Sequence, residues 1–430
     1  MTCVVHVLAL VVSVVSVATS SSEIISKDDA FRVVWNAPSS VCENCGGLPL
    51  KNFGIEANIN ETFIGETIAC LYSGSFGAWP TLNASLNATP CWTGNHPCSW
   101  TPWSSIEVLE NGGVPQMANL TLHLDQVSID LVQEIPDTTY SGLIILDFEE
   151  WRPVLSSNYD ALSYNILYSR SLVQRKHPDW NASSVQAAAA SDFNAAALSF
   201  FIETVRTIRA LRPFAKIGYY EWPLDSGVEV DDLLQDLWKE VDVLAPSVYP
   251  RYTNMTEQAN WTTEKILESQ RVQKMYGRPG SVVLPYTRAL VQNKQHLSRD
   301  QLATQVQIAA GLGVEGIILW GSSTDYAAGC QQGRELYPAK RTTANTTISP
   351  VAGSCQQVAS ELELVAGPLI SSCKQNRNAC RSMHCNGHGR CVDYNGEPSQ
   401  LEKVCLTTNL TILSCHCDAG WLGRDCNSRI

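Results

Sequence analysis

Seven short apolar, β-rich runs recur along the first three quarters of the chain, each followed by a stretch of helical character. They are FRVVWNAP at 31–38, TIACLY at 67–72, GLIILDFE at 142–149, AKIGYYEW at 215–222, VDVLAPSVY at 241–249, SVVLPYTR at 281–288 and GVEGIILWGSS at 313–323. The clearest helical stretch is 185–211, rich in Ala and closed by Arg212-Pro213; another follows Ser298, an N-cap, and ends near Gly311 or Gly313. Strands alternating with helices pair in parallel. About seven such units over about 320 residues predict an α/β fold, a distorted TIM-like (β/α) barrel rather than an open doubly wound sheet. No Gly-rich phosphate loop opens a helix, which argues against a dinucleotide-binding fold. In such barrels the active site lies at the C-terminal ends of the strands.

Four of these runs end in polar or aromatic residues: Asp147-Phe148-Glu149, Tyr219-Tyr220-Glu221-Trp222, Ser247-Val248-Tyr249 and Trp320-Gly321-Ser322-Ser323. One Tyr or Trp at a strand end usually packs. Four strands agreeing predicts convergence at one rim. The stretch GLIILDFEEWRP at 142–153 is the most informative, because a run apolar on both faces stops in three acids. Residues i and i+2 of a strand share a face, so Asp147 and Glu149 lie together and Glu150 points away. Two close carboxyls hold one proton between them, giving a general acid beside an anion, which is what glycosidic cleavage needs. The competing readings are ion pairing with neighbours such as Arg152, and a cation site. No third oxygen ligand stands at a recognisable spacing, so no metal is expected.

The apolar run over residues 3–17, followed by small residues at 18–22, reads as a secretory signal spanning 1–20; an uncleaved anchor is the alternative. Nine glycosylation sequons, at Asn60, Asn83, Asn87, Asn119, Asn181, Asn254, Asn260, Asn345 and Asn409, agree with export to an extracellular, matrix or venom setting. So do sixteen cysteines, a density suited to an oxidising compartment. Fifteen remain once Cys3 leaves with the signal, so one thiol is odd. No later run is long enough to span a bilayer. The net charge of −12 argues against nucleic acid as a partner. A polyanionic substrate would need a locally basic cleft, for which Arg152, Arg170, Arg175, Lys176, Arg251 and Arg288 are the candidates.

Near Cys355 the character changes, and helices and long apolar strands are expected to stop. The barrel domain is placed at 23–350, a linker at 351–379 and a small module at 380–426. The six cysteines of CRSMHCNGHGRC…CHCDAGWLGRDC read as an EGF-like module, pairing Cys380–Cys391, Cys385–Cys415 and Cys417–Cys426. A zinc site using His384, His388 and His416 is the alternative.

The motif LDFEEWRP at 146–153 resembles the signature of the animal and venom hyaluronidases, glycoside hydrolase family 56. VVWNAP before Cys42, NGGVPQ (111–116), YSRSLVQRKHPDW (168–180), GYYEWP, APSVY, PYTRAL (285–290) and LWGSS resemble family segments in the family's order, and vertebrate-type members carry an EGF-like tail. The resemblance covers about residues 31–426. It implies an endo-hexosaminidase acting with retention and no enzyme nucleophile, in which the substrate's acetamido oxygen attacks the anomeric carbon. Glu149 then matches the general acid and Asp147 the residue that stabilises the acetamido group. Tyr220 and Tyr249 match tyrosines lining the reacting sugar, and Trp320 the wall around the acetamido methyl. Ser247, Ser322 and Ser323 match polar contacts at the rim, and Tyr72 a further substrate-side tyrosine. A neutral acetamide gains positive charge on attack, so a carboxylate beside it is chemically apt.

The resemblance also pairs Cys42 with Cys330; closing a loop that long stabilises by about 4–5 kcal/mol in the chain-entropy account. Two local bridges are expected among Cys45, Cys70, Cys91 and Cys98, and one between Cys355 and Cys373, leaving Cys405 odd. The loop PLDSGVEVDD at 223–232 lacks the cysteine many members have there. The expected activity is hydrolysis of β-1,4 bonds in hyaluronan and in chondroitin, by a monomer without cofactor. A chondroitin-preferring hydrolase and an inactive glycosaminoglycan-binding or adhesion protein are the alternatives.

Overall fold

The computed structural model describes residues 29–40, 47–84, 106–224, 227–292, 295–323, 325–326, 354–392, 405, 413–418 and 420–430. The eight barrel strands are β1 (Arg32–Asn36), β2 (Ile68–Tyr72), β3 (Leu143–Asp147), β4 (Lys216–Glu221), β5 (Val243–Pro246), β6 (Val282–Val283), β7 (Tyr286–Arg288) and β8 (Gly316–Trp320). All pairings among them are parallel. Strands β2 to β6 form one sheet in chain order. In the other, β7 pairs with β8 and β8 with β1, in register from Arg32↔Gly316 to Asn36↔Trp320. A single bridge, Ser247↔Tyr286, joins the two sheets. Among the described residues no ladder closes the seam between β1 and β2.

The run 281–288, expected as one strand, is two. Pro285 lies between β6 and β7 and has no N–H to give to a ladder. Its carbonyl still accepts from the Ile318 amide at 2.9 Å.

Alternation along each strand sorts side chains into two layers. Val34, Ile68, Leu143, Ile145, Val243, Ala245, Tyr286 and Ile318 fill the barrel interior. Ile144, Leu146, Phe148, Ile217, Tyr219 and Leu319 face outward into the core beneath the helices. The helices are α1 (Leu120–Glu134), α2 (Ser163–Lys176), α3 (Ala182–Leu211), α4 (Met255–Tyr276) and α5 (Arg299–Gly311). Helix α3 buries Val185, Ala189, Phe193, Ala197, Phe200, Phe201, Val205 and Ile208, one stripe at steps of three and four. Ser298 and Gln301 form a capping box at the start of α5. Asn119, Asn181 and Asn254, all sequon asparagines, cap α1, α3 and α4. Each accepts through Oδ1, so the cap does not use the amide nitrogen to which a glycan would attach. Asn60, Asn83 and Asn260 are exposed as well. Asn87, Asn345 and Asn409 lie outside the described residues, as do the signal segment and the Cys42–Cys330 pair.

Helical structure does not stop near Cys355. It runs through α6 (Ser354–Glu361), a π-helical turn (Leu362–Ala366) and α7 (Gly367–Met383), across the stretch expected to be a linker. Val358, Leu362, Ala366, Ile370 and Cys373 recur every three or four residues and are buried in the outer core. Lys374 ion-pairs with Asp29 at 2.6 Å, and Asn378 accepts from the Ala30 amide at 2.7 Å, tying α7 to the entry of β1.

Beyond it, Gly389–Val392 and Ser414–Cys417 pair antiparallel, stapled by Cys380–Cys391, Cys385–Cys415 and Cys417–Cys426. Two cysteine expectations are corrected. Cys373 bridges Cys405, not Cys355. Cys70 is free and fully buried, so it takes no part in a local bridge with Cys45, Cys91 or Cys98. Its place on an inward-facing position of β2 puts its thiol inside the barrel. Those three partners lie outside the described residues. The three module cysteines nearest one another, Cys380, Cys385 and Cys391, are all in disulfides, so they offer no thiolate to a metal. Among the described residues no helix is long and apolar enough to cross a membrane.

The α7 stripe is therefore part of the barrel's packing. Ile370→Ala should destabilise the whole chain by about 2–5 kcal/mol, the range for deleting a fully buried aliphatic side chain. Urea unfolding followed by barrel tryptophan fluorescence checks this; an unchanged midpoint would show that α7 folds apart from the barrel.

Candidate active site

Strand β3 carries the chemistry. Its inward positions read Leu143, Ile145, Asp147, and the alternation continues to Glu149, while Phe148 packs outward. The first polar inward residue thus falls where the hydrocarbon interior ends. Asp147 is half-buried and Glu149 is exposed at the rim. Burial first, and then the neighbouring Glu149 carboxylate, push Asp147 up to about 8. Neither acid is ion-paired to Arg152. That guanidinium reaches Glu221 at 3.6 Å instead and lies over the Tyr159 ring at 4.5 Å.

Aromatic residues from four strand ends wall the space above the acids. Tyr220, the penultimate residue of β4, stacks on Tyr249 with centroids 6.0 Å apart, and Tyr249 stacks on Trp320 at 5.9 Å. The Trp320 indole N–H donates to the Tyr72 hydroxyl at 3.0 Å, and the Tyr220 hydroxyl to Ser247 Oγ at 3.3 Å. Burial raises the phenols of Tyr72, Tyr220 and Tyr249 above their usual range, so all three stay neutral donors. The expected residues Asp147, Glu149, Tyr72, Tyr220, Ser247, Tyr249 and Trp320 are thus brought to one rim. Ser322 also ends its strand there, but its hydroxyl accepts from the Asp325 amide at 3.0 Å and shapes the local turn; Ser323 is exposed.

Of the candidate cleft cations, Arg288 is the one seated among the rings. Its guanidinium carbon lies 4.2 Å from the Tyr249 centroid and 4.5 Å from that of Trp320, a double cation–π contact. Arg170 bonds Gln186, Arg251 leans on Tyr252 and Trp261, and Arg175 and Lys176 close the last turn of α2.

Three contributors escaped the sequence. Phe63 stacks on Trp320 and meets Tyr72 edge-on. Tyr286 meets Tyr220 edge-on at 5.1 Å, and the buried Cys70 thiol lies beside Tyr72 and Tyr286 inside the barrel. Phe63 precedes its strand in an ordinary loop and gave no signal. Tyr286 and Cys70 share the inward parity of their strands and could have been found by it.

A parallel barrel with a pair of acids and an aromatic cradle at the strand ends is the architecture of a glycosidase. The comparisons with known proteins specify which. The hyaluronidase family model matches residues 20–97 and 94–337, and an EGF-like domain model matches 373–426. The chain belongs to the hyaluronidase family. It is 28% identical to Hyaluronidase-1 of Sus scrofa, over 92% of this chain and 85% of that protein. It is 26% identical to the chondroitin hydrolase of Caenorhabditis elegans, over 94% and 81%. The crystal structure of bee venom hyaluronidase in complex with a hyaluronic acid tetramer superposes with a TM-score of 0.64 at 27% identity, covering 79% of this chain and 98% of that one.

The raised Asp147 has a signed consequence. Between the ordinary carboxyl range and about pH 8 the folded protein holds a proton that the unfolded chain has lost, so Asp147 makes stability fall as pH rises across that window. Asp147→Asn should flatten this slope. Asp231, also raised to about 8 by burial and then by Glu268, remains in both proteins, so the difference isolates Asp147. Melting temperatures from pH 4 to 9 for the two proteins check it; parallel curves would mean that Asp147 is ionised throughout.

Proposed function

We propose that this protein is a secreted endo-β-N-acetylhexosaminidase that hydrolyses β-1,4 bonds in hyaluronan, and in chondroitin, by substrate-assisted retaining catalysis. The observation that carries this reading is the placement of Asp147 and Glu149 two residues apart at the inward end of β3, at the rim walled by Tyr220, Tyr249 and Trp320. Acids that flank a glycosidic bond stand about 5–5.5 Å apart when one is a nucleophile and about 6.5–9.5 Å apart when a water must fit between them. Asp147 and Glu149, two residues apart on one wall of the site, do not flank a bond from its two sides. The nucleophile must come from elsewhere, and a 2-acetamido group on the sugar can supply it.

Glu149, exposed at the rim, protonates the leaving glycosidic oxygen as the acetamido oxygen closes on the anomeric carbon. The acetamido N–H donates to Asp147, which favours Asp147 as the anion beside Glu149, the proton donor of this step. The same carboxylate then faces the positive charge that grows on the acetamido group. In the second step Glu149, now ionised, takes a proton from water attacking the anomeric carbon. That releases the sugar with its configuration retained and restores the proton to the pair. Trp320 and Tyr249 supply flat apolar faces for a sugar and its methyl group, and the neutral hydroxyls of Tyr220 and Tyr72 donate to oxygens. Arg288, held between two of those rings, supplies a fixed cation for the carboxylate that every uronic acid unit carries.

Secretion is supported by the apolar segment at 3–17, the nine sequons and the bridged C-terminal module. A chondroitin preference is the second reading, favoured by the likeness to the Caenorhabditis elegans chondroitin hydrolase. The two polymers differ in the amino sugar's C4 hydroxyl.

Wild type is expected to release even-numbered saturated oligosaccharides from both polymers, and the faster one names the preferred substrate. Glu149→Gln, which keeps the shape and removes the acid, should lower kcat by about 10²–10⁴-fold. Binding of either polymer without cleavage by wild type, from acid to neutral pH, would replace hydrolysis with a binding role.

A further inference from the structure

The floor of the barrel, the end opposite the acids, holds a cavity of about 260 Å³. Part of its wall comes from inward positions of the strands. Val34 on β1 and Tyr220 on β4 belong to the barrel interior. Arg32 and Lys216, each first in its strand and of the same parity, line the cavity below them. Val282 of β6 and Leu284 lie beside them. The opposite wall is the EGF-like module, through Arg381, Arg390 and Asp418, with Asp29 and Glu315 at the seam.

Ion pairs account for every acid at this cavity. Glu56 accepts from Arg32 Nε at 3.0 Å and from its Nη2, and Asp29 pairs with Lys374 at 2.6 Å. Glu315 pairs with Arg390 at 2.9 Å, and Asp418 with Arg381 at 2.9 Å and Arg390 at 3.5 Å. Each of these acids has its cation, and Lys216 is the cation left over. Among the described residues its ammonium has no hydrogen bond and no acid within ion-pair distance, and Arg32 Nη1 makes no hydrogen bond either. Arg32 is buried and Lys216 half-buried. A partly desolvated charge without a partner is unfavourable.

We propose that this cavity is a binding site for a small inorganic oxyanion, of the size of phosphate or sulfate, held by Lys216 Nζ and Arg32 Nη1. An ammonium offers three N–H groups and a guanidinium nitrogen two, and the several oxygens of an oxyanion accept from both kinds of donor. Its charge offsets the one unmatched cation. It sits between the barrel floor and the module, facing Arg381 and Arg390, so its binding stabilises the folded chain. The site is independent of the chemistry at the rim.

The test titrates inorganic phosphate into the full chain at pH 7 and constant ionic strength, read by calorimetry and by melting temperature. The variants are Lys216→Met and Lys216→Gln, which remove the charge and keep most of the stem. Lys274→Met, at an exposed lysine of α4 outside this cavity, is the control. The proposal predicts one saturable site in wild type, and a melting temperature raised by about 1–3 °C at about ten times the dissociation constant. Both Lys216 variants should bind at least about tenfold more weakly, and Lys274→Met as wild type does. General salting effects of phosphate behave differently: they grow without saturation and are the same in every variant. Absence of a saturable site in wild type overturns the proposal without recourse to any variant. So does a site that keeps its affinity in a folded Lys216 variant.

Discussion

The burial of the Asp147 carboxyl beside Glu149 is the constraint around which the rest of the structure is arranged. Two carboxyls in water ionise and separate. They stay together here because Asp147 is the first inward residue above a column of hydrocarbon, Leu143 and Ile145, that leaves its carboxylate little solvation. The barrel supplies that dryness from all sides, with Ile68, Val243, Ala245 and Ile318 on neighbouring strands. The phenols around the pair contribute donors without contributing charge. Arg288 brings a cation seated on Tyr249 and Trp320 and paired with Asp325 at 3.9 Å.

The far end of the barrel is held differently. Arg390 of the EGF-like module donates to the Gly313 carbonyl at 2.8 Å and pairs with Glu315 at 2.9 Å. These bonds seat the module against the loop that enters β8, at the opposite end of that strand from Trp320. With α7 packed into the outer core, the module is continuous with the catalytic body. The chemistry at one rim is thereby kept apart from the cross-links at the other.

Much of this was legible in the sequence because it follows from period-two alternation. The parity of Asp147 and Glu149 is read directly from a strand, and the aromatic ends of the runs at 215–222, 241–249 and 313–323 meet as the barrel rule requires. Pairwise choices among side chains were not legible. Arg152 stands three residues from Glu149 yet serves Glu221, because a clasp built by Asn158 turns it away. The helix at 354–383 was missed because its buried stripe of Val358, Leu362, Ala366, Ile370 and Cys373 is thin and set among polar residues. The Cys373–Cys405 bridge could not be read because it depends on where α7 delivers Cys373. The freedom of Cys70 could have been foreseen from its inward parity on β2, which directs the thiol into the barrel.

The central claim is that the acid pair leaves the nucleophile to the substrate, so that two displacements occur at the anomeric carbon. Proton NMR during the first turnovers of hyaluronan oligosaccharides reads this directly, before mutarotation mixes the anomers. The account predicts that the new reducing end appears first as the β-anomer, with the α-anomer growing in later. Initial release of the α-anomer would mean a single displacement by water and would contradict it.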